Sequence, residues 1–146
     1  MSDSHNYDMD LSSGIAAFEG KHFATAMQLL SPLAEQGNIE AQYRVAIMHQ
    51  GGLIGTPNMA EAVRFMRAAA EAGHGMAQHG YAVMFLEGEG VPKDANKAVE
   101  WFEKAAAHGL QGSLTTLGMM YQDGYGVEKD EAKAMEYYKK AGFDLS

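Results

Sequence analysis

The strongest constraint in the sequence is a repeat with a period of 36 residues, which holds over most of the chain without a gap. A shift by one period superposes Ala62 on Ala98 and on Ala134. It also superposes a glycine, an aromatic and a polar position: Gly52, Gly88 and Gly124; Phe65, Trp101 and Tyr137; Asn58, Asp94 and Asp130. A chain of such copies builds one supersecondary unit per copy, and the units must stack to bury their apolar faces.

Each copy contains two helical patterns. The first pattern of the middle copy has apolar residues at i, i+4, i+7 and i+8: Ala77, Tyr81, Met84 and Phe85. Gly88 and Pro92 end this helix, because glycine permits a positive φ and proline cannot continue a helix. Asp94 then caps a second helix, and Gly109 stops it. A copy is therefore an antiparallel helix pair.

The sequence predicts eight helices and one domain. The helices are expected over about 11–19, 23–36, 39–50, 59–72, 77–87, 95–108, 113–122 and 130–141. They form pairs over about 11–40, 41–76, 77–112 and 113–146, of which the first is divergent. Residues 11–146 are predicted as a single domain, and residues 1–10 as an acidic, flexible N-terminus.

The last two copies carry a specific motif. In the last copy it comprises Leu117-Gly118, Gly124-Tyr125-Gly126, Asp130, Lys133-Ala134 and Tyr137-Tyr138. In the middle copy it comprises Gly88-Glu89-Gly90, Asp94, Lys97-Ala98 and Trp101-Phe102. This motif resembles the Sel-one-like repeat (SLR) of the tetratricopeptide superfamily. The first full copy matches more loosely, since His49, Ile54 and Asn58 replace an aromatic residue, a glycine and an aspartate.

The resemblance implies a fold and a general role. The fold class is all-α, a right-handed α-solenoid of stacked antiparallel helix pairs, with three SLR copies and one N-terminal tetratricopeptide-like pair. First helices of SLR proteins line the concave surface. Such repeats scaffold protein complexes, although a fold does not by itself dictate an activity.

Composition excludes several classes of protein. The chain has 11 basic and 19 acidic residues, for a net charge of −8, which repels phosphate and anionic lipid. We therefore expect neither nucleic-acid nor membrane binding. The absence of cysteine excludes disulfides and thiolate sites and suits a reducing compartment. Since the N-terminus has no basic and apolar signal segment, we expect a cytoplasmic protein.

No catalytic or cofactor signature is present. The six histidines form no HExxH motif and no i, i+4 pair, and His74 and His108 are expected at helix ends. The Gly-x-Gly motifs recur in the repeat register and predict turns rather than a phosphate loop. Ser113 lies outside a GxSxG elbow, and the register places no base beside it. We expect no enzymatic activity, no metal and no cofactor.

A column of apolar residues predicts the partner-binding surface. Ile47, Val83 and Met119 superpose in the repeat and are displaced from the core face of the first helices. With their neighbours they resemble a groove floor, which adds Tyr43, Arg44, Gln50, His79, Leu86, Thr115 and Gln122. The alternative is that the column packs against the neighbouring first helix. Other methionines are predicted to be core residues: Met48, Met66, Met84, Met120 and Met135.

These patterns favour a protein-interaction scaffold or adaptor that binds a peptide or partner protein on its concave face. Apolar contacts would anchor the partner, and hydrogen bonds to its backbone would come from Arg44, Gln42, Gln78 and Gln50. Surface acids such as Glu87, Glu89 and Asp123 would favour a basic partner. The alternative is a self-associating repeat protein. In that case Phe143 and Leu145 either fold back as a cap or join another subunit, so a monomer or weak homodimer is expected.

Overall fold

The computed structural model describes residues 2–144, with side chains from Asn6 onward. Every regular element in that range is an α-helix. The helices are α1 (Ser2–Glu19), α2 (Phe23–Glu35), α3 (Ile39–Gly51), α4 (Met59–Glu71), α5 (Gly75–Glu87), α6 (Ala95–Ala106), α7 (Gln111–Asp123) and α8 (Glu131–Lys140). The predicted all-α fold class and the eight helices are confirmed. Within the same residues, no helix combines the length and the apolar character that a membrane span requires.

The N-terminus differs from the prediction. α1 begins at Ser2, so residues 2–10 are helical rather than a segment without secondary structure. This stretch contains neither glycine nor proline, so nothing in it interrupts the helix. Asp8, Met9 and Asp10 are exposed, and a helix that is mostly solvated carries little of the periodic apolar signal by which helices are recognised.

The chain forms two compact units, one ending at Ala72 and the other beginning at Gly73. In the first unit, α2 packs against α1 and α3, and α3 packs against α4. In the second unit, α6 packs against α5 and α7, and α7 packs against α8. Each unit thus contains two helix pairs joined by short connections. The single domain over residues 11–146 stays a prediction.

Side-chain caps fix where most second helices begin. The side chains of Asn58, Asp94 and Asp130 each accept a hydrogen bond from the backbone amide three residues later, at 3.2, 3.0 and 3.0 Å. These are the predicted capping positions, and they satisfy amides that a helix leaves free at its start. His74 caps α5 in the same way, since its Nδ1 accepts from the amide of Ala77 at 3.1 Å.

The core of the second unit is built around α6. Phe102 of α6 and Leu117 of α7 are completely buried. Gly118 lies against the ring of Tyr138 on α8, where a Cβ atom would come within 2.6 Å of the ring Cε1. The middle copy has Ala82 at the equivalent of Gly118, so the loss of a methyl group in the last copy makes room for a close aromatic neighbour.

Glu103 ties α6 to both of the following helices. Its Oε2 accepts hydrogen bonds from the phenol groups of Tyr121 on α7 and Tyr137 on α8, each at 3.3 Å. The two tyrosine rings are stacked with their centroids 5.7 Å apart. Burial, followed by the negative charge of Glu103, raises the pKa of Tyr137 to about 12. These bonds fix the position of α7 relative to α6 and α8.

The predicted core methionines divide into two groups. Met48, Met66, Met84 and Met120 are between 0% and 3% exposed, as predicted. The prediction for Met135 is wrong, because this residue is 42% exposed on α8. Its repeat equivalent Val99 is buried at 3% exposure on α6, which has α7 packed against it, whereas among residues 2–144 no further helix follows α8.

The end of the described chain folds back onto α8. The amide of Phe143 donates to the carbonyl of Tyr138 at 3.0 Å, and the two rings meet edge to face at 5.7 Å. Phe143 nevertheless remains 49% exposed. Leu145, which was predicted to share this role, lies outside the described residues.

Candidate partner-binding site

The site lies between α5 and α7, two first helices that both pack against α6. Two cavities open between them, one beside their N-terminal halves and one beside their C-terminal ends. We call the residues that line both cavities the α5–α7 face: Met76, His79, Leu86, Leu110, Gln111, Gly112, Thr116, Met119, Met120, Asp123 and Tyr125. Three predicted groove residues, His79, Leu86 and Met119, meet on this face.

The C-terminal cavity has an apolar wall and an acidic edge. Its volume is about 150 Å³, and it is lined by Leu86, Thr116, Met119, Met120, Asp123 and Tyr125. Met119 is 52% exposed and Tyr125 is 42% exposed, although both are large apolar side chains. The cavity can therefore take up an apolar group from outside, with the Asp123 carboxylate beside it.

The N-terminal cavity is larger and is lined partly by backbone. Its volume is about 210 Å³, and its walls come from Met76, His79, Leu110, Gln111 and Gly112. Met76 is 47% exposed, and Gly112 leaves the His79 ring accessible where a side chain would cover it. This cavity also offers mainly apolar surface, with the imidazole as its polar group.

A hydrogen bond joins α5 to α7 beside the N-terminal cavity. His79 Nδ1 and Ser113 Oγ lie 2.7 Å apart, and the His79 ring packs edge to face on Phe102 at 5.3 Å. Burial lowers the pKa of His79 below its usual value, so the neutral imidazole is favoured. The bond also accounts for a serine at a position where the two equivalent residues, Ala41 and Ala77, are alanines.

The prediction that no base lies beside Ser113 is wrong. The repeat register compares equivalent positions of successive copies, whereas His79 and Ser113 occupy different positions and meet only because α5 and α7 are neighbours. Ser113 is completely buried, so a substrate cannot reach its hydroxyl group. The pair therefore fastens two helices together rather than forming an exposed nucleophile and base.

The other predicted residues of this unit have different surroundings. Val83 is half-buried on α5, one turn from both His79 and Leu86. Thr115 is half-buried and lines neither cavity, while its neighbour Thr116 lines the C-terminal one. The side chain of Gln122 is turned to α8, where its Oε1 accepts a hydrogen bond from Tyr138 Oη at 2.8 Å.

The remaining predicted residues lie on α3, in the first unit. Tyr43, Arg44, Ile47 and Gln50 are all half-buried there, and burial raises the pKa of Tyr43. Arg44 forms an ion pair with Glu40 and lies over the ring of Phe18, 5.7 Å from its centroid.

Two of the three glutamines predicted to reach a partner's backbone, Gln42 and Gln78, are buried. Gln42 Nε2 donates to the carbonyl of Ala34 at 3.2 Å, so this amide is used inside the first unit. Gln78 on α5 is only 6% exposed. Neither side chain is placed at an open surface.

Sequence reasoning missed Tyr125 and Thr116, and it named Asp123 only as a surface acid that favours a basic partner, not as a residue of the groove. Asp123 and Tyr125 lie where α7 ends, and no periodic pattern extends into such a position. Tyr125 is the middle residue of a Gly-x-Gly motif, and its equivalents in the other copies are Leu53 and Glu89. The only signal in the sequence at this position is therefore that the residue varies among the copies. Thr116 lies three residues before Met119 and thus shares its helix face, so helical periodicity could have identified Thr116.

Both carboxylates and lysines lie near the C-terminal cavity, since Lys93 packs against Gly88 and Lys129 packs against Gly124, where α5 and α7 end. Asp123 and Glu87 are exposed and Glu89 is half-buried, and none of them forms an ion pair with another residue in the part of the chain from Asn6 to Asp144. The carboxyl ends of α5 and α7 also lie here, and each carries the partial negative charge of a helix dipole. Among the described residues, no group of three histidine, aspartate or glutamate side chains is arranged to hold a metal ion.

A larger cavity lies in the first unit, between α1 and α2. Its volume is about 560 Å³, and it is lined by Asn6, Tyr7, Asp10, Gln28, Leu29, Pro32, Leu33 and Gln36. Half of these residues are polar, and none belongs to a position that the repeat pattern singles out. The α5–α7 face is the stronger candidate because predicted groove residues converge on it.

Comparison with solved structures gives the same fold. A protective antigen present in uropathogenic Escherichia coli strains, with an SLR fold, is 34% identical at a TM-score of 0.76, over 79% of this chain and 25% of that chain. A Sel1 repeat protein from Oxalobacter formigenes is 28% identical at a TM-score of 0.83, over 88% of this chain and 53% of that chain. The chain thus spans a quarter and about half of these two proteins.

A third structure, Helicobacter pylori cysteine rich protein B, is 23% identical at a TM-score of 0.63, over 81% of this chain and 84% of that chain. It shares the fold, although the present chain contains no cysteine. Among curated proteins, none matches the chain significantly.

The Sel1 repeat family model matches residues 39–74, 75–110 and 114–142, which is more than half of the chain. The three matches cover the three predicted SLR copies and leave out the divergent first pair. Proteins with this fold are helical solenoids and commonly act as scaffolds for protein interactions. The chain belongs to the Sel1 repeat family.

Proposed function

We propose that this chain is a scaffold or adaptor that binds a segment of a partner protein on the α5–α7 face. The observation that carries the proposal is Met119, a large apolar side chain that is 52% exposed on the wall of a cavity. Exposed apolar surface around a concavity is typical of an interaction site, and methionine adapts its shape to the group it meets.

The chemistry of the α5–α7 face also supports a protein partner. Both cavities are smaller than the roughly 300 Å³ or more of a site for a whole small molecule, but each is suited to an individual side chain. Ser113 is buried, so the one serine–histidine pair of this face offers no accessible nucleophile. Tyr43, Arg44, Ile47 and Gln50 remain predicted partner contacts in the first unit, as do Val83, Thr115 and Gln122 in the second.

A charge on this face tests the proposal. Tagged wild-type protein and the Met119→Asp variant are used to enrich partners from native cells, which are then quantified by mass spectrometry. The aspartate places a charge where contact with the partner would exclude water. We therefore expect the recovered amount of at least one partner to fall roughly tenfold or more. Met9→Asp is the matched control, because Met9 is equally exposed, at 53%, but lies on α1. Equal enrichment by all three proteins would contradict the proposal.

Self-association is the second candidate. Met135 on α8 is 42% exposed where its equivalent Val99 is covered by a following helix, and Phe143 is exposed nearby. A second copy that covers this surface would give a weak homodimer. Light scattering over a concentration series, on wild type and on the Met135→Glu variant, tests this candidate. We expect the molecular mass to rise with concentration in the wild type and to stay constant in the variant. A constant monomer mass for the wild type would exclude self-association.

We also propose a cytoplasmic location, which is supported by the absence of cysteine from the sequence. Fractionation of native cells, with detection of the chain by an antibody, checks it. Recovery of the protein mainly outside the cytoplasmic fraction would contradict this part of the proposal.

A further inference from the structure

We propose that the partner segment is extended and basic. It inserts two apolar side chains, four residues apart, into the two cavities of the α5–α7 face and places a lysine or arginine beside Asp123. This inference rests on the proposed function and adds the chemistry of the partner to it.

The two cavities lie along one line on the α5–α7 face. His79 and Leu86 are seven residues apart on α5, and Gly112 and Met119 are seven residues apart on α7. Seven residues make two turns of an α-helix, so each pair lies on a single face of its helix. A chain that follows the line between α5 and α7 therefore passes both cavities.

The distance between the cavities fixes the spacing of the anchors. The lining residues of one cavity are displaced from those of the other by about eight positions on each helix, which at about 1.5 Å per residue gives roughly 12 Å. An extended chain advances about 3.3 Å per residue and presents alternate side chains to one side. Separations of two, four and six residues then span about 7, 13 and 20 Å. Only the separation of four fits.

The volumes of the cavities favour one anchor in each. They measure about 150 and 210 Å³ and are separate. Val83 is half-buried between the positions of the two cavities on α5, and the hydrogen bond between His79 and Ser113 joins α5 to α7 beside the N-terminal cavity. Two separate cavities of this size accommodate two aliphatic side chains of one extended segment better than one bulky group.

The charge of the segment follows from the edge of the C-terminal cavity. Asp123 lines this cavity, and no cation from Asn6 to Asp144 forms an ion pair with it. Glu87 and the carboxyl ends of two helices add negative potential, and the nearby Lys129 is paired with Glu131, 3.8 Å away, rather than with Asp123. A lysine or arginine next to the anchor in this cavity is therefore attracted, and an acidic residue is repelled.

The methionines of the protein are reporters for a direct test. Full-length chain with ¹³C-labelled methionine methyl groups is titrated with synthetic peptides that carry two leucines and a following lysine. The leucines are separated by one, three or five serines. Met76 reports on the N-terminal cavity and Met119 on the C-terminal one, while Met9 and Met135 report on other surfaces.

We expect the peptide with three intervening serines to bind most tightly and to shift Met76 and Met119 together, with one dissociation constant. The other two spacings should bind roughly tenfold more weakly, because only one leucine is buried. Replacement of the lysine by glutamate should weaken binding about twofold to fivefold, and Asp123→Asn should remove that difference. Added salt should reduce it as well.

Binding that shifts Met119 equally for all spacings and for both charges would overturn this inference and leave the proposed function standing. The same holds if peptides shift Met119 without Met76. If no peptide shifts either methyl group, this inference is overturned, while the proposed function is judged separately by the enrichment experiment with Met119→Asp. Glu100→Gln, which also removes one carboxylate charge but at an exposed position of α6 outside the face, is the control for Asp123→Asn.

Discussion

Two neighbouring methionines on α7 occupy opposite environments. Met120 is 3% exposed and packs in the core of the second unit, although it also lines the C-terminal cavity, whereas Met119 is 52% exposed on the α5–α7 face. One residue along a helix corresponds to a rotation of about 100°, which is enough to move a side chain from the core to a surface. The comparison separates a buried face of α7, which includes Leu117 and Gly118, from an open face, which includes Met119.

The two faces of α7 differ in whether their side chains must fit against neighbouring helices. The buried face must match the shapes of α6 and α8, so a change there alters the free energy of unfolding. The open face has no neighbour to match within the described chain and is available to a partner. A change there should therefore alter binding and leave stability nearly the same.

The largest expected effect is on the buried face. Leu117→Ala removes a completely buried side chain, and we expect the free energy of unfolding to fall by about 2–5 kcal/mol. Met119→Ala should change it by less than about 0.5 kcal/mol. Urea denaturation followed by circular dichroism measures both. Similar losses in the two variants would mean that the faces are not distinct.

Replacing a glycine by alanine should have a smaller effect on the free energy of unfolding, with opposite signs on the two faces of α7. At Gly118 the new methyl group would lie 2.6 Å from the Tyr138 ring, so Gly118→Ala should cost about 1 kcal/mol despite the better helix propensity of alanine. At Gly112 the closest contact is 3.4 Å, to His79, and Gly112→Ala should stabilise by about 0.5 kcal/mol. Thermal unfolding compares them, and equal signs would refute this account of the two glycines.

The hydrogen bond between His79 on α5 and Ser113 on α7 is expected to make a smaller contribution to the free energy of unfolding. Ser113→Ala leaves the half-buried His79 without its partner on α7, and we expect a loss of about 1 kcal/mol at pH 7.5. Thermal unfolding of the variant and of wild type measures it. A double-mutant cycle with His79→Phe, which has no hydrogen-bonding atom in its ring, is the control: an equal loss from Ser113→Ala in both backgrounds would attribute the effect to packing.

The smallest expected effect is a change of stability with pH. Burial holds the pKa of His79 below its usual value of 6.5, so below pH 6.5 the unfolded chain binds a proton that the folded protein resists. Stability from this group is therefore complete above pH 6.5 and is lost as the pH falls towards the lowered pKa. Thermal unfolding between pH 7.5 and 5.5 should show a weaker decline for His79→Gln than for wild type, and parallel curves would contradict the assignment.

The fold could be predicted from the sequence because the repeat constrains it three times over. Asp94 and Asp130 mark helix starts at equivalent positions, and each copy confirms the assignment made in the others. α1 could not be placed as well. It belongs to the divergent pair, and its first turns are exposed, so neither repetition nor apolar periodicity marks where it begins.

The candidate site could be predicted only in part. Met119 and Leu86 followed from helical periodicity, because each lies on a helix at a position displaced from the core. Tyr125 did not, and Asp123 was expected only as a surface acid, since a cavity at helix ends depends on the path of the connection that follows. The contact between His79 and Ser113 joins two copies of the repeat, and a comparison of equivalent positions cannot show which different positions meet.

The central claim is that the open face of α7 is the surface that a partner covers. Methionine oxidation by hydrogen peroxide, quantified by mass spectrometry, tests it most directly, since oxidation depends on the exposure of the side chain. In the free protein Met119 should oxidise much faster than Met120. With an enriched partner bound, Met119 should be protected while Met9 and Met135 oxidise as before. Unchanged oxidation of Met119 together with protection of Met9 or Met135 would contradict the account.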